Sequence, residues 1–286
     1  MLPGTVAMVL AAAVAHAVWN LASKYKRGDA VLFVCAYTYA SALLCVPISL
    51  AFMADGQQVP GWQLAAGAAV SAVLHTAYSL TLQAGYERAE LGVVYPVARG
   101  TGPMLAMLFA ILLLDEQLTA AAMFGASLVV AGILVVTGNP FRSASRRPLQ
   151  GLLWGAATGA TIAAYTVWDG YSVVALHLAP VSYYAATLLL QSLILTPSLL
   201  RRRHRIRAAI RADAVPILIV AVFSPLAYIL VLTAMLKAPV ALVAPLRESS
   251  IVIGSLVACR LFGEGHLARR IAGAVIVLAG IAAISL

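Results

Sequence analysis

Two arginines stand where hydrocarbon would be expected, Arg99 in "YPVARGTGP" and Arg247 in "APLRESS". An ionised side chain at the centre of a bilayer costs at least about 2.5 to 3.5 kcal/mol, so it normally faces protein interior or a watery pathway. A guanidinium so placed is suited to a carboxylate or phosphate, which it meets with paired N–H donors. Aromatic and polar groups recur nearby at helical spacing. His16, Trp19 and Asn20 share one face at i, i+3, i+4, and His75, Tyr78 and Ser79 repeat the pattern. Tyr95 precedes Arg99 by one turn among Pro96, Gly100, Gly102 and Pro103. Such breakers leave backbone groups to be satisfied by neighbours, water or ligand. Thr161, Tyr165 and Trp168 share a further face, as do Ser224 and Tyr228, while Glu248 and Ser249 follow Arg247. The chemistry is that of binding, with aromatic faces for the apolar part of a metabolite and arginine for its anion. The structural alternative is packing: Tyr and Trp belong to interfacial belts, histidines hydrogen-bond within cores, and either arginine can simply pair with Glu248.

Other chemistries lack their residues. There is no H-E-x-x-H, no G-x-S-x-G and no convincing carboxylate dyad, so an intramembrane enzyme is not expected. The P-loop G-x-x-x-x-G-K-[ST] is absent, so ATP is not the intrinsic fuel. Cys35, Cys45 and Cys259 lie in apolar runs without C-x-x-C spacing, which points to buried thiols rather than a metal or disulfide framework. No cofactor is expected. The titratable candidates for proton coupling are His16, His75 and Glu248, with uncoupled facilitation or exchange as alternatives.

The elements that position these groups are membrane helices. Of 286 residues, 63% are hydrophobic and 10% charged, against about 25% charged in ordinary globular chains; mean hydropathy is +0.96. A hydrocarbon core about 30 Å thick needs roughly 20 apolar residues in a helix. Ten such segments fit, near 4–23, 30–53, 61–85, 90–114, 118–137, 149–168, 179–200, 213–236, 238–261 and 267–286. Their continuous apolarity, without period-two alternation, indicates helices rather than barrel strands. The first has no basic leader and reads as a retained helix.

The net charge of +9 raises nucleic acid as a partner, but the positions of the charges favour membrane orientation. Of 19 Lys and Arg, sixteen fall at connections after odd-numbered helices, from Lys24 to Arg270, and only Lys237 after an even-numbered one. That bias is the positive-inside pattern, placing odd connections in the cytoplasm and both termini outside. "RRRHRIRAAIR" becomes an anchor for anionic lipid. The partners expected are the bilayer and a small-molecule substrate, with no nucleic acid.

The chain is also written twice. At an offset of 148, Arg99 falls on Arg247, Glu116 on Glu264, Gly125 on Gly273, Val129 on Val277 and Gly132 on Gly280; at 149, "HAVWN" from His16 falls on "YTVWD" from Tyr165. A five-helix unit, being odd, must enter the membrane from opposite faces in its two copies, the inverted-repeat arrangement of many secondary transporters. The units are residues 1–138 and 149–286, joined by a linker at 139–148 in one integrated membrane domain. "GLLWGAATG" adds Gly151, Gly155 and Gly159 four apart, a close-packing signature.

"WN" at 19–20, "YPVARGTGPMLAMLFAILLLDEQLT" at 95–119, "WD" at 168–169 and "APLRESSIVIGSLVACRLFGE" at 244–264, with the helix count, resemble the EamA-like transporters of the drug/metabolite transporter superfamily. The resemblance spans essentially the whole chain. It implies an all-α membrane protein of ten transmembrane helices around a central cavity, and a secondary transporter of small metabolites, amino-acid exporters being a prominent class. "GEGHLARR" departs from the usual second-half turn at Glu264. Residues 4–23 contain no acid of the kind that proton-coupled drug exporters of the small dimeric branch carry in their first helix. A carrier of phosphorylated or phosphonate metabolites is the main alternative to amino-acid export, and broken helices around a central site favour alternating access over a channel.

Overall fold

The computed structural model describes residues 1–89, 91–137, 148–253 and 267–285. These include ten α-helices: α1 Pro3–Lys24, α2 Ala30–Ala54, α3 Trp62–Arg88, α4 Leu91–Leu113, α5 Ala120–Thr137, α6 Pro148–Val174, α7 Pro180–Arg201, α8 Ile206–Met235, α9 Val240–Arg247 and α10 Leu267–Ser285. Five stretches are long and apolar enough to cross a bilayer by themselves: Pro3–Ser23, Ala30–Ala54, Trp62–Leu82, Pro180–Arg201 and Arg203–Met235. α4, α5 and α10 carry shorter apolar stretches. α6 is diluted by Thr158, Thr166, Asp169 and Ser172, all fully buried in the bundle. The fold is an all-α membrane architecture of two inverted five-helix repeats around a central cavity.

The inversion is visible in which helices touch. α1 packs on α8 while its repeat mate α6 packs on α3, and α2 on α8 is mirrored by α7 on α3. α2 and α7 pair with each other, as do α5 and α10. The last pair shows why the repeated glycines recur. A Cβ on Gly132 would lie 2.8 Å from the Gly273 carbonyl, one on Gly273 2.7 Å from the Gly132 carbonyl, and Gly125 and Gly280 exclude each other's Cβ at 2.7 Å. Because the obstructing atoms are backbone, only glycine lets these antiparallel helices approach so closely. Gly132→Val is therefore expected to destabilise by roughly 1 to 3 kcal/mol through overpacking. Thermal unfolding of purified protein checks this, with Gly4→Ala as the neutral control, since nothing lies within 4 Å of its added Cβ.

α4 is fixed on α6 by the same device. A Cβ on Gly155 would lie 2.9 Å from the Val94 carbonyl, and one on Gly159 3.0 Å from the Gly102 amide. Arg99 sits between these contacts, so its backbone has little room to shift. Connections lock the ends. Asp29 caps α2, accepting from the Val31 and Leu32 amides at 2.9 and 3.2 Å, and holds Arg202 at 2.5 Å. Burial alone would raise its carboxyl, but the amide donors and the guanidinium bring it below its ordinary value. Asp213, at a kink in α8, accepts from the Arg27 and Gly28 amides at 2.8 and 2.9 Å.

Glu116 explains its place in the repeated turn. Its two oxygens accept from the Val240 and Ala241 amides at 2.6 and 2.9 Å, so the turn after α4 caps the start of α9. Burial pushes this carboxyl up, and the two amides pull it partly back. Glu264, Cys259 and Arg260 lie outside the described residues, as does the 139–147 part of the linker.

One span differs from the sequence expectation. The apolar run at 238–261 suggests one continuous helix, whereas α9 stops at Arg247, residues 248–249 form a turn, and helix resumes at 250. The Glu248 amide bonds to the Pro245 carbonyl and the Ser249 amide to Leu246, each at 3.1 Å, so the chain tightens to i, i+3 bonding there. Proline cannot continue the α ladder as a donor, and the break falls at the two charged residues.

Candidate functional site

Helices α1–α4 and α6–α9 enclose a cavity of about 80 Å³, room for several waters at roughly 10 to 15 Å³ each. Its walls are mainly aromatic. Trp19, Tyr37, Tyr78, Tyr165, Tyr184 and Tyr228 line it, interleaved with polar groups such as His16, Thr38, Ser41, His75, Gln191 and Ser224. Arg99 and Arg247 border it from α4 and α9.

The arginines meet on a single carboxylate. Arg99 NH1 donates to Glu248 Oε2 at 2.8 Å, while Arg247 donates from Nε and NH2 to Oε1 at 3.1 and 2.9 Å. Arg99, Arg247 and Glu248 are 7%, 3% and 1% exposed. Two guanidinium cations share one anion at the cavity wall. A guanidinium bordering a cavity can offer its remaining N–H donors to an anionic group there. Arg247 also lies over the Tyr165 ring, its Cζ 6.0 Å from the centroid, a cation–π distance. The sequence leaves either arginine free to pair with Glu248. Glu248 instead bridges both, because the break after α9 turns its carboxylate between the two repeat-related arginines.

On the α1 side the polar atoms lack partners. His16 Nε2, Trp19 Nε1 and Thr38 Oγ1 are buried with no hydrogen-bond partner among the described residues, and all three residues line the cavity. His16 and Trp19 pack edge to face at 4.8 Å. Unpaired buried donors and acceptors are costly, so they mark where water or a polar ligand belongs.

On the opposite side one carboxylate gathers several partners. Asp169 of α6, wholly buried, accepts from Tyr183 at 2.6 Å, from Tyr228 at 2.5 Å, and contacts His75 Nε2 at 3.0 Å. His75 stacks on Tyr165 at 4.2 Å and meets Tyr228 edge-on at 5.2 Å. Four helices are thus tied at one carboxylate.

Of the sequence candidates, His16, Trp19, His75, Tyr78, Arg99, Tyr165, Tyr228 and Arg247 line the cavity, and Glu248 stands behind the arginines. Asn20 does not reach it, donating instead to its own helix at the His16 carbonyl, 2.8 Å. Trp168 faces away and donates to the Gly67 carbonyl at 2.9 Å, closing α6 on α3. The Tyr95 side chain lies outside those described. Sequence reasoning missed Asp169, Tyr37, Tyr183, Tyr184 and Gln191. The signal for Asp169 was present in "YTVWD", where it is one turn after Tyr165 and stands opposite Asn20 in the repeat. The α2 and α7 residues carry no comparable mark, since isolated tyrosines in apolar helices look like packing groups.

Comparison with known proteins bears on the family and the fold. A family model described as the EamA-like transporter family matches twice, at residues 4–138 and 149–286. A solved structure titled only as the crystal structure of a protein superposes with a TM-score of 0.76 over 98% of this chain and 96% of its own, at 15% identity. That likeness concerns the fold alone. No curated protein matches the sequence. The two matched halves leave only the linker and the first three residues uncovered, and the chain belongs to the EamA-like transporter family.

Proposed function

We propose that this transporter exports amino acids or related small metabolites across the cytoplasmic membrane by alternating access. The observation that supports this most strongly is the triad of Arg99, Arg247 and Glu248, which sets two guanidinium groups at the wall of an aromatic-lined cavity. A cargo carboxylate is suited to the guanidinium pair, and its side chain to the tyrosine walls. His16, Trp19 and Thr38 supply polar contacts from the other wall. The break at Glu248 and the inverted repeat fit a site that two rocking halves expose in turn. The same guanidinium pair also supports a second reading, a phosphorylated or phosphonate metabolite, because a guanidinium fork meets phosphate as well as carboxylate.

Counterflow in proteoliposomes separates the two. Saturable exchange of amino acids supports the first reading; exchange of organophosphates with none of amino acids replaces it with the second. The basic connections support an orientation with both termini outside the cytoplasm. Tags at either end should be labelled by impermeant reagent from the outer face of intact cells, and labelling only from the cytoplasmic face would reverse the topology.

A further inference from the structure

The connection between α7 and α8 presents two different faces. α7 ends at Arg201, a 3-10 turn follows at Arg203–Arg205, and α8 begins at Ile206 and kinks at Asp213. Toward the bundle, Arg202 pairs with Asp29, and Asp213 accepts from the Arg27 and Gly28 amides. Both acids beside this connection are thereby engaged between the two repeats. The outward face has no such partners. Arg203, Ile206, Arg207, Ile210, Arg211 and Ala214 line an open groove of about 510 Å³. The three arginines recur every fourth residue, and so do Ile206, Ile210 and Ala214. Residues four apart are neighbours on a helix surface, so a row of guanidinium groups runs beside a row of apolar side chains. Among the described residues no carboxylate pairs with Arg203, Arg207 or Arg211.

The apolar row continues into the span. Leu218 and Val222 follow Ala214 at the same spacing, and Ile210, Leu218 and Val222 are all exposed. α7 and α8 are each long and apolar enough to cross a bilayer, so the groove lies at the level where the two leave it. We propose that this groove is a binding site for one anionic phospholipid, with its phosphate on Arg207 and Arg211 and an acyl chain along Ile210, Ala214 and Leu218. The two arginines are one turn apart, about 6 Å along the axis, so both guanidinium forks can meet one phosphate. A soluble phosphate would engage the arginines and leave the apolar row bare. A zwitterionic lipid would cover the apolar row and bring its own cation to the arginines. An anionic lipid satisfies both rows. Diffuse attraction of a basic surface to an anionic leaflet needs charge alone, whereas this site needs charge at particular positions. Because Arg202 and Asp213 hold the same connection against the start of α2, a lipid seated in the groove stabilises that latch. On the proposed topology the groove faces the cytoplasmic leaflet, where anionic lipid lies; the site itself requires no particular cargo.

The test uses the full chain purified in neutral detergent and titrated with phosphatidylglycerol, phosphatidylcholine or glycerol phosphate. Native mass spectrometry counts the bound molecules, and unfolding temperature is recorded on the same samples. One phosphatidylglycerol is expected to saturate the site, about tenfold or more tighter than either of the others, and to raise the unfolding temperature. Arg207→Gln combined with Arg211→Gln should weaken it by about tenfold or more, and Ile210→Ser by roughly threefold or more. Arg201→Gln combined with Arg205→Gln removes the same charge outside the groove and should bind as wild type does. All five positions are exposed, so each variant should unfold at the wild-type temperature in lipid-free detergent. Equal losses in the two arginine pairs would reduce the groove to diffuse attraction and overturn the site. Phosphatidylcholine bound as tightly would remove headgroup recognition, and glycerol phosphate bound as tightly, or Ile210→Ser without effect, would make it an anion site rather than a lipid site; any of these contradicts the proposal.

Discussion

Glu248→Ala is expected to cost about 3 to 5 kcal/mol of stability, the range seen when one partner of a buried ion pair is removed. The reason is specific to this site. Glu248 is the shared acceptor for Arg99 and Arg247, and without it two guanidinium groups face one another in a membrane interior. Glu248→Gln should be milder, since the amide still accepts a hydrogen bond, but it leaves the charge uncompensated. Combining Glu248→Gln with Arg247→Gln lowers the positive charge again and should recover part of the loss, which separates a charge effect from a packing effect. Thermal unfolding of the purified variants checks this, read beside the monodisperse fraction. A Glu248→Ala protein as stable as wild type would mean that the triad is solvated and contributes little.

Arg99→Lys is expected to fold and insert, yet to transport poorly. The ammonium still offsets Glu248, so the buried carboxylate keeps a counter-charge. What disappears is the planar fork that can hold Glu248 and a second anion in fixed directions. A charge-assisted hydrogen bond contributes about 1.5 to 3 kcal/mol, which corresponds to roughly 10- to 150-fold in affinity at 1.4 kcal/mol per decade. Lysine should lose a part of that and alanine most of it. The check is the concentration dependence of counterflow: half-saturation should rise in Arg99→Lys while the amount of inserted protein stays at the wild-type level.

How much of this was legible in the sequence depends on what each residue reveals by itself. The ten spans, the duplication and the arginine pair could be read because membrane burial is compositional and a charge in an apolar run stands out. The repeat offset aligned Gly125 with Gly273 and Gly132 with Gly280, but their crosswise contact, Gly125 on Gly280 and Gly132 on Gly273, depends on how the two repeats pack. Pairing was less legible. "LRES" places Glu248 beside Arg247 in sequence, but nothing local says that the helix breaks there and turns the carboxylate toward Arg99, 149 residues away. Trp168 looked like a cavity residue because its mate Trp19 is one. In the assembled bundle the two repeats are not in equivalent surroundings, and Trp168 meets the α3 backbone instead. Asp169 was visible as half of a repeated dipeptide, yet its surroundings depended on three partners from α3, α7 and α8, a convergence that only the packed bundle creates.

The central claim is that the arginine triad holds the negative group of the cargo. Its most direct test is equilibrium binding of the amino-acid panel to purified, monodisperse wild-type and Arg99→Ala protein, with unfolding temperature recorded on the same samples. The expected result is tenfold or greater weakening for the amino acids that wild type binds, in protein that remains folded. Unchanged affinity in folded Arg99→Ala would contradict it, and would make Arg99 a structural partner of Glu248 with the cargo held elsewhere.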